Sequence, residues 1–230
     1  MATTMEIQPT QRGGRQGLWF TGTVDSSELE QIDALIDAID AALATHGLGL
    51  AEIVRTRILA MDRPARDRAS QIRTRRLLEG PGVSSSSSYL EPRLFPNGDG
   101  VRFEGLALAG AGEGKVVEPY ETGGPLCRYV ATGDLVFNTG VTSTLPTFAE
   151  QLANLAPRIA TTLAHASERL GRPVLPTTIT AFVDRIQDPG TAESLADRLG
   201  MGGVPLVVQR CDGFTLPGKL IEVEVDAVAG

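Results

Sequence analysis

The tetrapeptide Ile221-Glu222-Val223-Glu224 lies near the end of the chain and alternates apolar and acidic residues. A second alternating tetrapeptide, Val101-Arg102-Phe103-Glu104, lies 120 residues earlier. Alternation with a period of two residues is typical of a β-strand with one buried face. The two segments are therefore predicted to be equivalent strands, which indicates that the chain contains an internal repeat.

An amphipathic helix recurs at the same offset of 120 residues, with apolar residues at helical spacing in both copies. The matched positions are Ile32, Leu35, Ile39 and Leu43 in the first copy and Leu152, Leu155, Ile159 and Leu163 in the second. Each copy begins with the residue pair of a capping box, and the pairs are Ser27 with Glu30 and Thr147 with Glu150. Both helices are predicted to begin at equivalent points, and Pro157 predicts a kink in the second.

A strand near the start of each half gives a third match. Leu18-Trp19-Phe20-Thr21-Gly22 is similar to Val136-Phe137-Asn138-Thr139-Gly140, at an offset of 118 residues. Each half then continues with the long helix, a strand, a second helix and two closing strands. The second helices are predicted over 65–78 and 193–199. This order predicts an α/β (α+β) fold class, in which each half is a mixed β-sheet with two helices packed on one face.

The segment between the two halves is rich in Gly, Glu and Pro, which is typical of a linker. We expect a first domain over residues 10–110, a linker over 111–124 and a second domain over 125–230.

The composition is that of a folded protein, with 42% hydrophobic and 21% charged residues. The net charge of −7 disfavours nucleic acid and acidic membrane surfaces as partners. No apolar stretch approaches the ~18 residues of a membrane span, so we expect a cytoplasmic protein. Cys127 and Cys211 lack the spacing of a metal site, and we expect neither a metal nor a cofactor.

Each half of the chain resembles the RidA family, which is also called the YjgF or L-PSP family. The resemblance therefore covers nearly the whole chain. Two motifs carry the resemblance. Gly133-Asp134-Leu135-Val136-Phe137-Asn138-Thr139-Gly140 is similar to the family's early strand that ends in Ser-Gly, and Ile221-Glu222-Val223-Glu224 is similar to its closing Ile-Glu-Ile-Glu strand. The resemblance implies two tandem RidA-like (chorismate-mutase-like) domains, trimers with sites between subunits, and hydrolysis of reactive enamines and imines to oxo acids and ammonia.

The resemblance also implies a site in the second half, where Glu222 matches the family glutamate that handles the hydrolytic water. Arg102 occupies the matching position in the first half and cannot act as a carboxylate, so a degenerate site is expected there. Acid/base catalysis of this kind contributes typically 10²- to 10⁴-fold.

The family's substrate-binding arginine is not in place, because Val207 or Val208 stands at its position. Arg210 lies two or three residues further on and is the candidate to bind an anionic group through its guanidinium fork. The remaining candidates support the substrate by hydrogen bonding or line the site, and they are Asn138, Thr139 and Gly140.

Two functions stay open. The first is a hydrolase or deaminase that acts on an enamine or imine in a specialised catabolic or biosynthetic pathway, and the presence of Glu222 favours it. The second is a catalytically inactive RidA-fold protein that binds a small metabolite or scaffolds a pathway, and the missing arginine favours it. Two domains cannot close a three-domain ring, so we expect a homotrimer arranged as a pseudo-hexamer, with a dimer as the alternative.

Overall fold

The chain folds into two compact units, which comprise residues 1–133 and 134–230. A computed structural model describes residues 3–120, 126–192 and 194–230. The expected linker over 111–124 contains a short strand at Val116–Pro119, and its last four residues lie outside the described part of the chain. Pro125, where the second domain was expected to begin, and Glu193, where its second helix was expected to begin, also lie outside it.

The first unit is built on a five-stranded mixed sheet. Its elements are β1 (Thr3–Arg12), β2 (Arg15–Val24), α1 (Leu29–Ala44), β3 (Ile53–Ala60), α2 (Arg63–Arg73), β4 (Ser85–Leu90), β5 (Val101–Leu108), β6 (Val116–Pro119) and β7 (Cys127–Thr132). The sheet has the order β1-β2-β5-β3-β4, in which β3 and β4 are parallel and the other pairs antiparallel. Strands β6 and β7 form an antiparallel pair.

Helices α1 and α2 pack on one face of this sheet. Their buried apolar residues form one core with alternate strand residues such as Phe20, Ile58 and Phe103. Successive side chains of a strand point to opposite faces, so the residues between these core positions lie on the other side of the sheet. We call that side the non-helical face of the first unit; it carries Arg57 and Arg102.

Helix α1 begins at Leu29 without the predicted capping box of Ser27 and Glu30. The hydroxyl of Ser27 instead accepts a hydrogen bond from Arg68 of α2 at 2.6 Å, and the same guanidinium donates to the Ser27 carbonyl at 2.6 Å. The Ser27 amide donates to Asp99 at 3.0 Å. The prediction is wrong because tertiary partners occupy the polar groups that the local motif would have used.

The second unit repeats the architecture. Its elements are β8 (Leu135–Asn138), β9 (Val141–Thr142), α3 (Phe148–Leu170), β10 (Val174–Asp184), α4 (Leu195–Arg198), β11 (Leu206–Cys211), β12 (Gly213–Phe214) and β13 (Ile221–Ala229). Its sheet has the order β11-β10-β13-β8, β9 also pairs with β13, and β10 and β11 are parallel. Residues of α3 and α4 share a core with alternate residues of β10 and β13.

The structure confirms the predicted fold class, with a mixed sheet and helices on one face in each unit. The capping box of Thr147 and Glu150 is also confirmed, with the Glu150 amide donating to the Thr147 hydroxyl at 3.2 Å. Helix α3 continues through Pro157. The second helix of this unit, predicted over 193–199, is only the single turn α4. None of the described helices is long and apolar enough to span a bilayer.

Candidate functional site

Glu222 lies on β13, which pairs with β10 on one side and with β8 and β9 on the other. Its neighbours Ile221 and Val223 belong to the helix-side core, so strand alternation places Glu222 on the opposite face, together with Glu224. The Glu222 side chain is 5% exposed. A carboxylate is rarely buried without charged or polar partners, and such positions are frequent at functional sites.

Arg102 is the structural equivalent of Glu222, as the repeat predicts. Glu222 is in register with Thr142 on β9 and Phe182 on β10. Arg102 is likewise in register with a threonine, Thr23 on β2, and with Leu59 on β3. The guanidinium of Arg102 donates from Nε to the Thr23 hydroxyl at 3.0 Å.

An interruption of the first strand of the second unit brings Gly140 against Glu222. In the first unit, β2 is continuous over ten residues, whereas β8 ends at Asn138 and β9 begins at Val141. A Cβ atom on residue 140 would lie 2.1 Å from Oε1 of Glu222. Only glycine therefore leaves room for the carboxylate in this position.

The ammonium of Lys219 lies close to the carboxylate of Glu222, with Nζ 4.0 Å from Oε2. The Lys219 side chain is 10% exposed. An ammonium at this distance from a buried carboxylate favours the ionised form of the carboxylate. Sequence reasoning missed Lys219, although a lysine three residues before the glutamate of a closing strand was a signal that could have been followed.

Gln151 on α3 fixes the loop that carries Lys219. Its side-chain Nε2 donates to the carbonyls of Leu145 at 2.7 Å and Gly218 at 2.6 Å, and its Oε1 accepts from the Leu220 amide at 2.8 Å. Gln151 is fully buried. The bonds to Gly218 and Leu220 attach the residues on either side of Lys219 to helix α3, so Lys219 belongs to a segment that the helix holds in place.

Arg210 is not brought to Glu222. It lies on β11 in register with the helix-side core residue Val183, so it faces the side of the sheet opposite to Glu222. Its guanidinium donates to the Arg185 carbonyl at 3.0 Å and to the Gln187 carbonyl. The expectation that Arg210 shares a cavity with Glu222 is corrected by this register, and Gln209 is the β11 residue on the face of Glu222.

Asn138 and Thr139, which the sequence also predicted for the site, lie at the end of β8 and in the connection to β9. Phe137 is in register with Asp226, which shares the face of Glu222, so alternation puts Asn138 on the other face of β8. Asn138 is fully buried, and Thr139 is buried in the connection between β8 and β9. Within the described residues, no group of three or more His, Cys, Asp or Glu side chains is arranged to hold a metal ion.

The non-helical face of the first unit carries buried arginines, whereas the corresponding face of the second unit carries the buried glutamates Glu222 and Glu224. Arg55 and Arg57 lie on β3, and both are buried. Arg57 is in register with Glu104, and its Cζ lies 5.0 Å from the ring centroid of Trp19. Sequence analysis expected only a degenerate site in this half and did not single out these two arginines.

Comparison with solved structures shows the fold of the chain. A chorismatase is similar over 96% of this chain and 79% of its own, with a TM-score of 0.61 and 14% identity. A member of the YjgF/YER057c/UK114 family from Mycobacterium tuberculosis is similar over 50% of this chain and 99% of its own (TM-score 0.40, 21% identity). RidA from an Antarctic Psychrobacter covers 48% of this chain and 93% of its own (TM-score 0.38, 15% identity).

No family model matches the chain, and no curated protein sequence is detectably similar to it. At 14% identity, the likeness to chorismatase over nearly the whole chain extends to the fold alone. The resemblance found in the sequence is thus confirmed as a similarity of fold.

Proposed function

We propose that the protein is a cofactor-independent hydrolase that acts on an enamine or imine of a small molecule, with Glu222 as the acid/base group. The observation that carries the proposal is the burial of Glu222 against Gly140 with the Lys219 ammonium 4.0 Å away. A carboxylate held in one position beside a cation is suited to accept and return a proton.

The hydrolysis balances with one carboxylate. Water adds to the carbon of the protonated C=N bond while ionised Glu222 takes a proton from that water. The nitrogen of the resulting carbinolamine receives this proton from Glu222, and the C–N bond breaks to release ammonia. The hydroxyl proton then passes to the regenerated carboxylate of Glu222 or to the released ammonia, and the carbon becomes a carbonyl. An enamine enters the same sequence after protonation on carbon, for which the protonated form of Glu222 is the donor.

Hydrolysis of an enol ether is a second candidate, and the whole-chain likeness to a chorismatase favours it. Chorismate, the substrate from which that enzyme takes its name, is a dicarboxylate that carries an enol ether. Enol ethers and enamines both begin hydrolysis by taking up a proton on an electron-rich carbon, so one buried carboxyl group can serve either chemistry. The two candidates differ in product, because the enol ether releases no ammonia.

Product analysis tests both candidates with the same protein. The hydrolysis of imines, which an amino-acid oxidase generates in situ from several amino acids, is measured by the release of ammonia. The hydrolysis of chorismate is measured by the release of pyruvate. Accelerated ammonia release supports the first candidate, and accelerated pyruvate release supports the second. Acceleration of neither reaction favours the inactive metabolite-binding or scaffolding protein.

We also propose that the chain assembles as a homotrimer with a pseudo-hexameric arrangement of domains, with a dimer as the alternative. The proposal rests on the two tandem domains, since closed rings are favoured over open arrays. Light scattering coupled to size exclusion distinguishes a particle of three chains from one of two, and a monomeric mass at all concentrations contradicts both.

A further inference from the structure

We propose that a cleft on the helix side of the first unit binds a small uncharged molecule that carries an amide group and an apolar ring. The cleft has a volume of about 460 Å³, which lies within the roughly 300–1,000 Å³ of sites for small molecules. It belongs to the unit that lacks Glu222. The proposal therefore goes beyond the catalytic function of the second unit and does not depend on it.

Strands β1 and β2 form the floor of the cleft. Leu18 of β2 belongs to the helix-side core and is in register with Pro9 of β1, so both side chains face the helices. Two residues further along each strand, towards the hairpin turn, Gln16 is in register with Gln11 on the same face. All four residues line the cleft, so its floor is an apolar pair beside a pair of carboxamides.

The turn that follows α1 forms a wall of the cleft. The Leu48 amide donates to the Leu43 carbonyl at 3.1 Å, and the Gly47 amide donates to the Ala44 carbonyl at 3.0 Å. Gly47 has a φ of 73°, which is the left-handed conformation common at the C-terminal end of a helix. His46 and Leu48 both line the cleft, so the backbone of this turn fixes the position of the wall.

The composition of the lining favours an uncharged ligand. Among the described residues that line the cleft there is no Asp, Glu, Lys or Arg, and His46 is the one titratable side chain. Arg15, the neighbour of Gln16 on β2, points to the opposite face of the sheet by strand alternation. A charged molecule that entered the cleft would lose hydration without meeting an opposite fixed charge, which costs free energy.

The polar side chains of the cleft are available to a ligand. In the part of the chain that the structure describes, no hydrogen bond or ion pair involves the side chains of Gln11, Gln16 or His46, and all three residues are exposed. A carboxamide has two N–H donors and a carbonyl acceptor. Directly opposed residues of an antiparallel pair have Cβ atoms roughly 4.5–5.5 Å apart, so both glutamines can reach one ligand.

An amide is the group that complements this lining. Its carbonyl accepts and its N–H donates, so an amide can form two hydrogen bonds with one glutamine side chain. An ionised carboxylate only accepts, and it cannot use the carbonyl oxygens of Gln11 and Gln16. The apolar pair of Pro9 and Leu18, together with Leu48, offers a surface on which a ring next to the amide is removed from water.

Titration of the full-length protein with benzamide, followed by NMR of histidine-labelled protein and by calorimetry, tests the cleft. The sequence has two histidines, and His165 lies on α3 of the second unit, so the spectrum contains one signal from the cleft and one reference. His46→Gln assigns the two signals. We expect saturable shifts of the His46 signal and an unchanged His165 signal. Benzoate, which has a similar shape and a charge, should bind about tenfold more weakly or not at all.

The chain offers a closely matched pair of variants. Gln11→Ala removes one carboxamide from the cleft and should weaken benzamide binding about fivefold to tenfold, which is the effect of one neutral hydrogen bond. Gln8 lies on the same strand in register with Trp19, so it points to the non-helical face. Both glutamines are exposed, and Gln8→Ala should leave the affinity for benzamide unchanged.

Three results would overturn the proposal. The first is the absence of a saturable shift of the His46 signal with benzamide, and the second is binding of benzoate that is as tight as that of benzamide. The third is an equal effect of Gln11→Ala and Gln8→Ala on affinity. Urea unfolding of each variant shows whether it is folded under the titration conditions, and Gln16→Ala decides the question if Gln11→Ala does not fold.

Discussion

The carboxylate of Glu222 occupies the space that a side chain on residue 140 would fill, since a Cβ built on Gly140 lies 2.1 Å from its Oε1. Gly140→Ala should therefore displace Glu222 and lower kcat/KM by about tenfold or more, with a loss of roughly 1–3 kcal/mol in unfolding free energy from overpacking. Steady-state kinetics and urea unfolding measure the two effects. Gly49→Ala is the control, because a Cβ there meets only ordinary contacts of 3.6 Å and beyond.

The Lys219 ammonium, 4.0 Å from the carboxylate, should help to keep Glu222 ionised and so contribute to its action as a base. Removing the ammonium in Lys219→Met withdraws a charge that favours the ionised carboxylate, so the acid limb of the pH–rate profile should move to higher pH. Lys219→Arg retains a positive charge and should restore most of the original profile. A uniform loss of rate at every pH in Lys219→Met, without a shift of the limb, would indicate a purely structural role.

Arg210 should contribute to stability and not to substrate binding. Its guanidinium donates to the carbonyls of Arg185 and Gln187, so Arg210→Gln is expected to cost roughly 1–3 kcal/mol in unfolding free energy and leave KM unchanged. Urea unfolding and substrate titration give the two numbers. A large rise in KM at unchanged stability would restore the role in anion binding that the sequence suggested.

Lys115 should give the folded protein a distinctive pH dependence of stability. Its ammonium donates to the carbonyls of Ala51, Ile53 and Val83 at 2.6, 2.7 and 3.0 Å, and burial lowers the pKa of Lys115 from 10.5 to about 8, with Glu52 partly opposing the shift. Between about pH 8 and 10.5 the unfolded chain therefore binds more protons at this residue than the folded one, so its contribution to stability rises with pH.

Urea unfolding across this pH range, compared between wild type and Lys115→Met, isolates the contribution of Lys115 from that of other groups. The difference in unfolding free energy between the two proteins should change in favour of the wild type as the pH increases. A difference that stays constant, or changes in the opposite direction, would show that the pKa of Lys115 is not lowered on folding.

The internal repeat made the fold predictable, because the repeat can be recognised from local sequence patterns. Alternation at Arg102 and Glu222 identified two equivalent strands, and β5 and β13 do occupy equivalent places between their neighbours. The cap at Thr147 followed from its motif, whereas the one at Ser27 failed when Arg68 took the hydroxyl. A local motif predicts structure only where no tertiary partner competes for its groups.

The site was less predictable because it depends on strand register and on loop positions. A shift of one residue reverses the face of every side chain on a strand, and the sequence alone did not show that Gln209, and not Arg210, shares the face of Glu222. Lys219 and Gln151 act through a loop whose path no periodicity encodes. The basic face around Arg55 and Arg57 was missed because two arginines in an apolar strand are notable only once they are known to be buried.

The most direct test of the central claim is the rate of product release by Glu222→Gln, compared with wild type and with Asp226→Asn on the same strand and face. If Glu222 is the acid/base group, Glu222→Gln should lower kcat/KM by about 10²- to 10⁴-fold, while Asp226→Asn stays close to wild type and all three proteins unfold at similar urea concentrations. Activity of Glu222→Gln within a few-fold of wild type would contradict the assignment of catalysis to this carboxylate.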